Sequence, residues 1–244
     1  MENSGQNTKR FKVNTRNRGK IMEKKNAVNF DSIKAIVFDF DDALVNETYW
    51  LENRWKKAIE FAEKDLHLDG FGAHFIEVFR NKGPKYKKHV NETLKRLNKG
   101  QELVKPIVNN FLSQTTGEVL MDDVVVCLDF LKRNFKLGII TNGRTETQLE
   151  RIKRAKIADY FEVIICAYEK PKPKKEPYAE CIRKLGVKAN EAVYVSHDVE
   201  TDLRGAKRAG MKTIYFNPKE QNSPEDADLD IKSYKELMAF IKKD

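Results

Sequence analysis

Short apolar runs alternate with amphipathic helical patterns along most of this 244-residue chain. Each run is rich in β-branched and aromatic residues and has the length of a buried strand. Between the runs, apolar residues recur at the spacing of a helix, as at Leu149, Ile152 and Ala155. Strands that alternate with helices form right-handed βαβ units, so the sequence predicts an α/β fold with a parallel sheet. The predicted strands are 35–38, 137–140, 163–166, 192–195 and 213–216.

Polar side chains follow several of these runs directly. Asp39 and Asp41 come after the first run, Thr141 after the second and Asp198 after the fourth. The carboxyl ends of parallel strands meet at one edge of a sheet, so these side chains should converge on one crevice. Carboxylates this close repel one another unless a cation or a hydrogen-bond network balances them. The pattern indicates a functional site, with a simple acidic loop as the alternative interpretation of the first cluster alone.

Four motifs occur in order along the chain. They are the acidic run at 39–45, the apolar run with Thr at 139–143, Lys172-Pro173, and the acidic pair within 198–202. With these motifs the chain resembles the haloacid dehalogenase-like hydrolases from about residue 33 to residue 216. It is most similar to the phosphatases that carry a helical cap after the first strand. The resemblance implies a Rossmann-like parallel-sheet core with an inserted α-helical cap domain.

The resemblance also implies roles for individual residues in phosphoryl transfer. Asp39 would be the nucleophile that forms an aspartyl-phosphate, and Asp41 would protonate the leaving group and then deprotonate the hydrolytic water. Thr141 and Asn142 would bind the substrate phosphate, and Lys172 would balance the charge of nucleophile and phosphate. An Asp two positions after the nucleophile favours a phosphatase over a dehalogenase, which needs no leaving-group acid.

The cofactor implied by the resemblance is Mg²⁺. Its ligands would be the carboxylates of Asp39, Asp198 and Asp202 and the backbone carbonyl of Asp41, because Mg²⁺ prefers a few oxygen ligands together with water and phosphate. The fourth motif allows two registers, in which either His197 or Asp198 takes the place of the first acidic ligand. Asp198 is favoured, since both acidic spacings occur in the family.

Each assignment has a structural alternative. Thr141 could cap the following helix, and Thr145 with Gln148 already offers a capping box there. Lys172 lies among three other lysines, so on charge alone it would belong to a solvated loop. Asp202 could be a first-turn carboxylate that the helix dipole favours.

Two residues beside the expected nucleophile depart from the family pattern. Asp42 stands where Gly is common, and Ala43 replaces the usual Thr or Val. Loss of a hydroxyl or branched side chain at this point could loosen the orientation of the nucleophile. Two functions are therefore considered. One is a Mg²⁺-dependent phosphatase of a small phosphorylated metabolite (a sugar phosphate or nucleoside monophosphate). The other is a non-catalytic binding module of the same fold that the basic residues 1–30 could tether to nucleic acid.

The motifs divide the chain into three predicted segments. Residues 31–46 and 118–244 hold all four motifs and form the predicted core. Residues 47–117 carry helical patterns near 50–62, 75–79, 86–97 and 103–112, and form the predicted cap. Its aromatic positions are expected to be cap core rather than a substrate box. Residues 1–30 form a predicted disordered basic tail, because they hold eight Lys or Arg against two Glu and few large apolar side chains.

Charge and cysteine content restrict the possible binding partners and the cellular compartment. The tail carries +6 of the formal net charge of +9, which permits weak, nonspecific contact with nucleic acid. No apolar run has the length of a membrane span, and the first residues lack the apolar core of a secretory signal. The three cysteines show no pairing pattern. These features predict a cytoplasmic protein with a small phosphorylated substrate and no membrane partner.

Overall fold

A computed structural model of the chain describes residues 28–83, 86–114 and 117–242. The predicted basic tail, residues 1–30, lies outside the described residues except for its last three positions. Within the described ranges, none of the helices is both long and apolar enough to cross a membrane. All three cysteines are free thiols.

A six-stranded parallel sheet forms the centre of the structure, in the order β3-β2-β1-β4-β5-β6. The predicted α/β fold is confirmed, and each of the five predicted strands is present within one residue of its expected bounds. A sixth strand of three residues forms the edge of the sheet beside β5, and it was not predicted because its sequence is not an apolar run. The strands are β1 (Ala35–Phe38), β2 (Lys136–Thr141), β3 (Val163–Cys166), β4 (Ala192–Ser196), β5 (Lys212–Phe216) and β6 (Leu229–Ile231).

Successive side chains of each strand point to opposite faces of the sheet, so both faces carry apolar side chains, and helices cover both. Ile36 and Phe38 belong to the hydrophobic cluster on one face, while Val37 and Tyr194 belong to the cluster on the other. The first cluster includes residues of α5 (Val124–Leu131), α6 (Thr145–Arg154) and α9 (Tyr234–Ile241). The second includes residues of α7 (Glu176–Leu185) and α8 (Arg204–Arg208).

Four helices separate β1 from α5 and have a hydrophobic cluster of their own. Trp55 stacks on Phe111 with ring centroids 4.1 Å apart, and Phe71 and Phe75 are buried in the same cluster. These aromatic residues therefore pack the insertion, as expected. The helix predicted at 86–97 begins three residues later, at His89. The four helices are α1 (Glu47–Lys64), α2 (Phe71–Lys82), α3 (His89–Arg96) and α4 (Val104–Ser113).

The two connections between this insertion and the sheet run side by side. The backbone N–H of Asn46 donates to the carbonyl of Val119, and the N–H of Met121 donates to the carbonyl of Leu44. Val45 and Leu120 form an antiparallel bridge between them. Glu118 on the returning connection is thereby placed close to the loop that follows β1.

Gly205 in α8 lies against a buried tyrosine, and this close approach generates a prediction. A Cβ at Gly205 would lie 2.7 Å from the Tyr178 hydroxyl and ring. Helix propensity alone would favour Ala there by about 1 kcal/mol. The cost of overpacking should exceed this gain, because Tyr178 is fully buried. Gly205→Ala should therefore lower the free energy of unfolding, measured by urea denaturation, by about 1–3 kcal/mol. Gly117→Ala is the control, since a Cβ there meets nothing within 4 Å; equal stability of both variants would contradict the steric argument.

Candidate active site

Asp39 directly follows β1 and lies at the carboxyl edge of the sheet. Its backbone N–H donates to the carbonyl of Val195 in β4, which continues the strand pairing by one residue and fixes the start of the loop. The carboxylate is buried, with 9% of the side chain exposed, and it lies 2.6 Å from the ammonium of Lys172. The predicted nucleophile and the predicted lysine are therefore in direct contact.

Lys172 is a buried cation, not a solvated loop lysine. Its ammonium lies 2.9 Å from both carboxylate oxygens of Asp202, in addition to the contact with Asp39. It also donates to the hydroxyl of Tyr194 at 3.1 Å. Burial alone would lower the pKa of Lys172, but the two carboxylates raise it above its ordinary value. The solvated-loop alternative is wrong, because carboxylates from segments that are distant in the chain pair with this lysine in the interior.

Two buried carboxylates share this one ammonium, and the surplus negative charge affects both. Burial raises the pKa of Asp39, and Lys172 only partly offsets that effect. Burial and the nearby charge of Asp39 raise the pKa of Asp202 to about 7, against the opposing effect of Lys172. A second cation at this edge would relieve the excess charge.

Asp202 is held more tightly than an ordinary first-turn carboxylate. It lies in the π-helical turn Val199–Leu203, and the hydroxyl of Ser196 donates to it at 2.6 Å. Its side chain is only 2% exposed. Its position in the first turn agrees with the helix-dipole alternative, but that alternative does not include the contacts with Lys172 and Ser196.

Asp41 is paired with an arginine that the sequence analysis did not single out. The carboxylate is 2.7 Å from Nη1 of Arg151, and 20% of its side chain is exposed. Burial raises the pKa of Asp41, and the arginine opposes that shift without cancelling it. A signal was present, because Gln148, Arg151, Ile152 and Ala155 share one helical face, and two polar residues on a buried stripe are unusual.

Thr141 and Gln148 form a buried hydrogen bond in place of the expected capping box. Nε2 of Gln148 donates to the hydroxyl of Thr141 at 3.1 Å and to the carbonyl of Asn142 at 2.6 Å. The helix α6 begins at Thr145 and has no side-chain cap. The alternative that Thr141 caps this helix is therefore wrong, since Gln148 points back to the end of β2. Asn142 accepts from the backbone N–H of Lys172 at 2.9 Å, which fixes the lysine loop.

The two departures beside Asp39 have structural explanations. Asp42 has a φ of 51°, in the left-handed region that favours Gly and that Asp tolerates better than most residues. Its carboxylate accepts from the backbone N–H of Thr48 at 3.2 Å. Ala43 is fully buried, and its carbonyl accepts from the hydroxyl of Tyr234 at 2.9 Å. The loop is therefore held by contacts that do not need the usual Thr or Val.

A cleft of about 610 Å³ collects the predicted site residues. Asp39, Asp41, Asn142, Lys172, Asp198 and Asp202 all line it, together with His197. Thr141 lies buried below it. Asp198 also caps the π-helical turn, because its carboxylate accepts from the N–H of Thr201 at 2.9 Å. The insertion contributes Glu47, Thr48, Leu51, Glu52 and Phe79 to the opposite side.

The donor chemistry of this cleft fits a hard divalent cation. Among the described residues that line it, seven carry a carboxylate and one, Lys172, carries an ammonium. Among the described residues, no three His, Cys, Asp or Glu side chains are grouped closely enough to form a metal site by themselves. Mg²⁺ does not require such a group, because it is commonly held by one or two carboxylates with water and substrate phosphate completing the shell. The seven are Asp39, Asp41, Asp42, Glu47, Glu52, Asp198 and Asp202.

A buried carboxylate in contact with a lysine, beside a second Asp at the carboxyl edge of a parallel sheet, is an arrangement suited to nucleophilic catalysis. The profile of the haloacid dehalogenase-like hydrolase family matches residues 36–216. The chain belongs to the haloacid dehalogenase-like hydrolases, as predicted.

Curated relatives and a solved structure agree with this assignment. The glyceraldehyde 3-phosphate phosphatase of Pyrococcus abyssi is 32% identical over 75% of this chain and 81% of its own length. That of Methanocaldococcus jannaschii is 29% identical over 86% of this chain and 97% of its own length. The magnesium-bound HAD-hydrolase YfnB of Bacillus subtilis is 18% identical, with a TM-score of 0.62 over 86% of this chain and 98% of its own, and shows the shared fold. The predicted enzyme class, a phosphatase, is confirmed.

Glu47 at the start of α1 gives a pH prediction. Burial, then the charge of Asp41, raises its pKa from 4.5 to about 7. Between these values the folded state binds more protons than the unfolded state, so the free energy of unfolding falls as the pH rises through this window. Glu47→Gln should remove about 1–3 kcal/mol of that fall, measured by urea denaturation at pH 5 and pH 8 without divalent cations.

Glu52→Gln is the matched control, because Glu52 lines the same cleft but is exposed. It should leave the pH dependence of the wild type intact. If Glu47→Gln also left it intact, Glu47 would not be titrating in this window.

Proposed function

We propose that this protein is a Mg²⁺-dependent phosphatase of a small sugar phosphate and acts through an aspartyl-phosphate on Asp39. The observation that carries the proposal is the buried contact between Asp39 and Lys172, 2.6 Å apart, beside Asp41 in one cleft. A carboxylate nucleophile, a neighbouring cation and a proton-carrying carboxyl group are what phosphoryl transfer requires.

The reaction takes place in two steps. In the first, a carboxylate oxygen of Asp39 attacks phosphorus, the bond from phosphorus to the sugar oxygen breaks, and that oxygen takes the proton of Asp41. In the second, water attacks the phosphorus and gives a proton to Asp41, and inorganic phosphate leaves Asp39. The raised pKa of Asp41 supports the protonated form that the first step needs.

The remaining polar residues bind and orient the phosphate. Lys172 compensates the charge of Asp39 and of the phosphate oxygens. Asn142 at the end of β2 lines the cleft, where its side chain and backbone N–H can donate to phosphate, and Thr141 lies buried directly below it. Mg²⁺ would be held by carboxylates from among Asp39, Asp198 and Asp202 and by the backbone carbonyl of Asp41, with water and substrate phosphate completing its shell. It would supply additional positive charge for the phosphoryl group in transfer. The magnesium bound to YfnB of Bacillus subtilis, which shares this fold, supports the choice of ion.

The substrate class follows from the relatives and from the lining of the cleft. Both archaeal relatives are named for glyceraldehyde 3-phosphate, which favours a sugar phosphate over a nucleoside monophosphate. Glu47, Thr48 and Glu52 offer acceptors and a hydroxyl opposite the phosphate-binding residues, which suits a leaving group that carries hydroxyls. We assign residues 47–117 as the cap that covers this cleft and excludes water during transfer.

The central test is replacement of the nucleophile. Asp39→Asn keeps the size of the side chain but removes the attacking carboxylate, so kcat for phosphate release should fall by more than about 1000-fold. The measurement is phosphate release from glyceraldehyde 3-phosphate, other sugar phosphates and nucleoside monophosphates, with and without Mg²⁺. Asp42→Asn is the control, since it neutralises the adjacent carboxylate outside the proposed reaction. Retained turnover in Asp39→Asn would refute the assignment.

Metal binding has a readout independent of turnover. Mg²⁺ should raise the melting temperature of the wild type, because a ligand that binds only the folded state stabilises it. Asp202→Asn and Asp198→Asn should lose that shift; an Asn at 198 retains an acceptor for the N–H of Thr201. His197→Ala should keep the shift. Loss of the shift in His197→Ala alone would place the first ligand of the fourth motif at 197.

A further inference from the structure

Arg151 occupies a buried position from which it reaches three separate parts of the site. It lies on α6 with 7% of its side chain exposed. Its guanidinium contacts Asp41 from the loop after β1, Glu118 from the returning connection and Gln148 from its own helix. A buried arginine with two carboxylates and one amide as partners has a defined geometry, because the planar fork of donors must match each acceptor.

The donors of Arg151 are divided between orientation and contact with Asp41. Nε and Nη2 donate to the two oxygens of Glu118 at 3.1 and 3.0 Å, a bidentate pair that fixes the plane of the guanidinium. Nη1 is thereby directed to the other side, where it donates to Gln148 at 3.1 Å and lies 2.7 Å from Asp41. Glu118, whose side chain is 0% exposed, thus holds Arg151 in the position from which it holds Asp41.

Aromatic rings enclose the same guanidinium. Its central carbon lies 5.0 Å from the centroid of the Phe40 ring and 4.8 Å from that of Trp50. Phe40 is the residue between Asp39 and Asp41, so the arginine packs along the loop that carries both carboxylates. These contacts restrict the guanidinium further.

Gln148 connects this group to the phosphate-binding end of β2. Its carbonyl oxygen accepts from Arg151, while its Nε2 donates to Thr141 and to the carbonyl of Asn142. The side chains of Thr141, Gln148, Arg151 and Asp41 therefore form one continuous chain of contacts below the cleft. The position of the proton-carrying carboxylate is linked in this way to the position of the phosphate-binding residues.

We propose that Arg151, held by Glu118, is a positioning residue that places the Asp41 carboxyl group for proton transfer to the leaving oxygen. The proposal rests on the proposed phosphatase mechanism. It predicts that the effect of Arg151 depends on the leaving group of the substrate. An alkoxide needs a proton in order to leave, whereas a phenolate leaves without one. A merely structural arginine would not distinguish between two such substrates.

The test compares kcat/KM for glyceraldehyde 3-phosphate and for 4-nitrophenyl phosphate in the presence of Mg²⁺. Arg151→Gln should lower kcat/KM for the sugar phosphate by at least about 30-fold and that for the aryl phosphate by less than about threefold. Asp41→Asn should show the same selectivity. The double variant should be no worse than Asp41→Asn alone, because both changes remove one function.

Two further variants separate positioning from folding. Arg151→Lys keeps a cation near Asp41 but cannot bind Glu118 bidentately, so it should recover part of the sugar-phosphate activity lost in Arg151→Gln. Arg154→Gln is the matched control, since Arg154 lies one turn further along α6 and contacts Glu118 at 3.4 Å but is more exposed. It should leave both activities and the melting temperature close to those of the wild type. If Arg151→Gln fails to fold, the lysine variant carries the same comparison of substrates.

The outcomes distinguish the two proposals. A wild-type protein that hydrolyses neither ester refutes the proposed function and with it the role of Arg151. A wild type that hydrolyses both, with Arg151→Gln and Arg151→Lys equally impaired on both substrates, leaves the phosphatase intact and overturns the positioning role. Selective loss on the sugar phosphate with partial recovery by lysine supports it.

Discussion

The burial of one ammonium group between two carboxylates is the interaction on which this site depends. Lys172 contacts Asp39 and Asp202 at distances below 3 Å, and these residues come from loops after β3, β1 and β4. An unpaired charge at this depth would cost several kcal/mol. The three segments are therefore held together by the same charges that the proposed phosphoryl transfer would use, so the site and the carboxyl edge of the sheet stabilise one another.

A second buried cation repeats this arrangement on the other side of the nucleophile loop. Arg151 forms ion pairs with Asp41 and Glu118, and Lys172 forms ion pairs with Asp39 and Asp202. Each cation is shared by two carboxylates, and in both cases burial keeps carboxyl pKa values raised. Because the pairings differ in chemistry, the two Asp residues of the first motif have different surroundings: Asp39 faces a point charge, and Asp41 faces a planar fork of donors.

The helical insertion is built to vary independently of this charged centre. It has its own aromatic cluster around Trp55 and Phe75, and its two connections to the sheet pair over only a few residues near Val45 and Leu120. Its contribution to the cleft is mostly acidic and hydroxyl groups. Substitutions among its cleft-lining residues should therefore have little effect on the packing of the sheet.

The sequence by itself determined the α/β class, five of the six strands and the positions of the four motifs, because strand periodicity and polar residues at strand ends are local signals. Tertiary structure decided which partner each charge has. Local sequence favoured a solvated Lys172, whereas its contact with Asp39, 133 positions away in the chain, holds it in the interior. The pairing of Arg151 with Asp41 and Glu118 likewise joins three segments that are remote in sequence. Such contacts depend on the order of the strands in the sheet, and no single stretch of the sequence specifies that order.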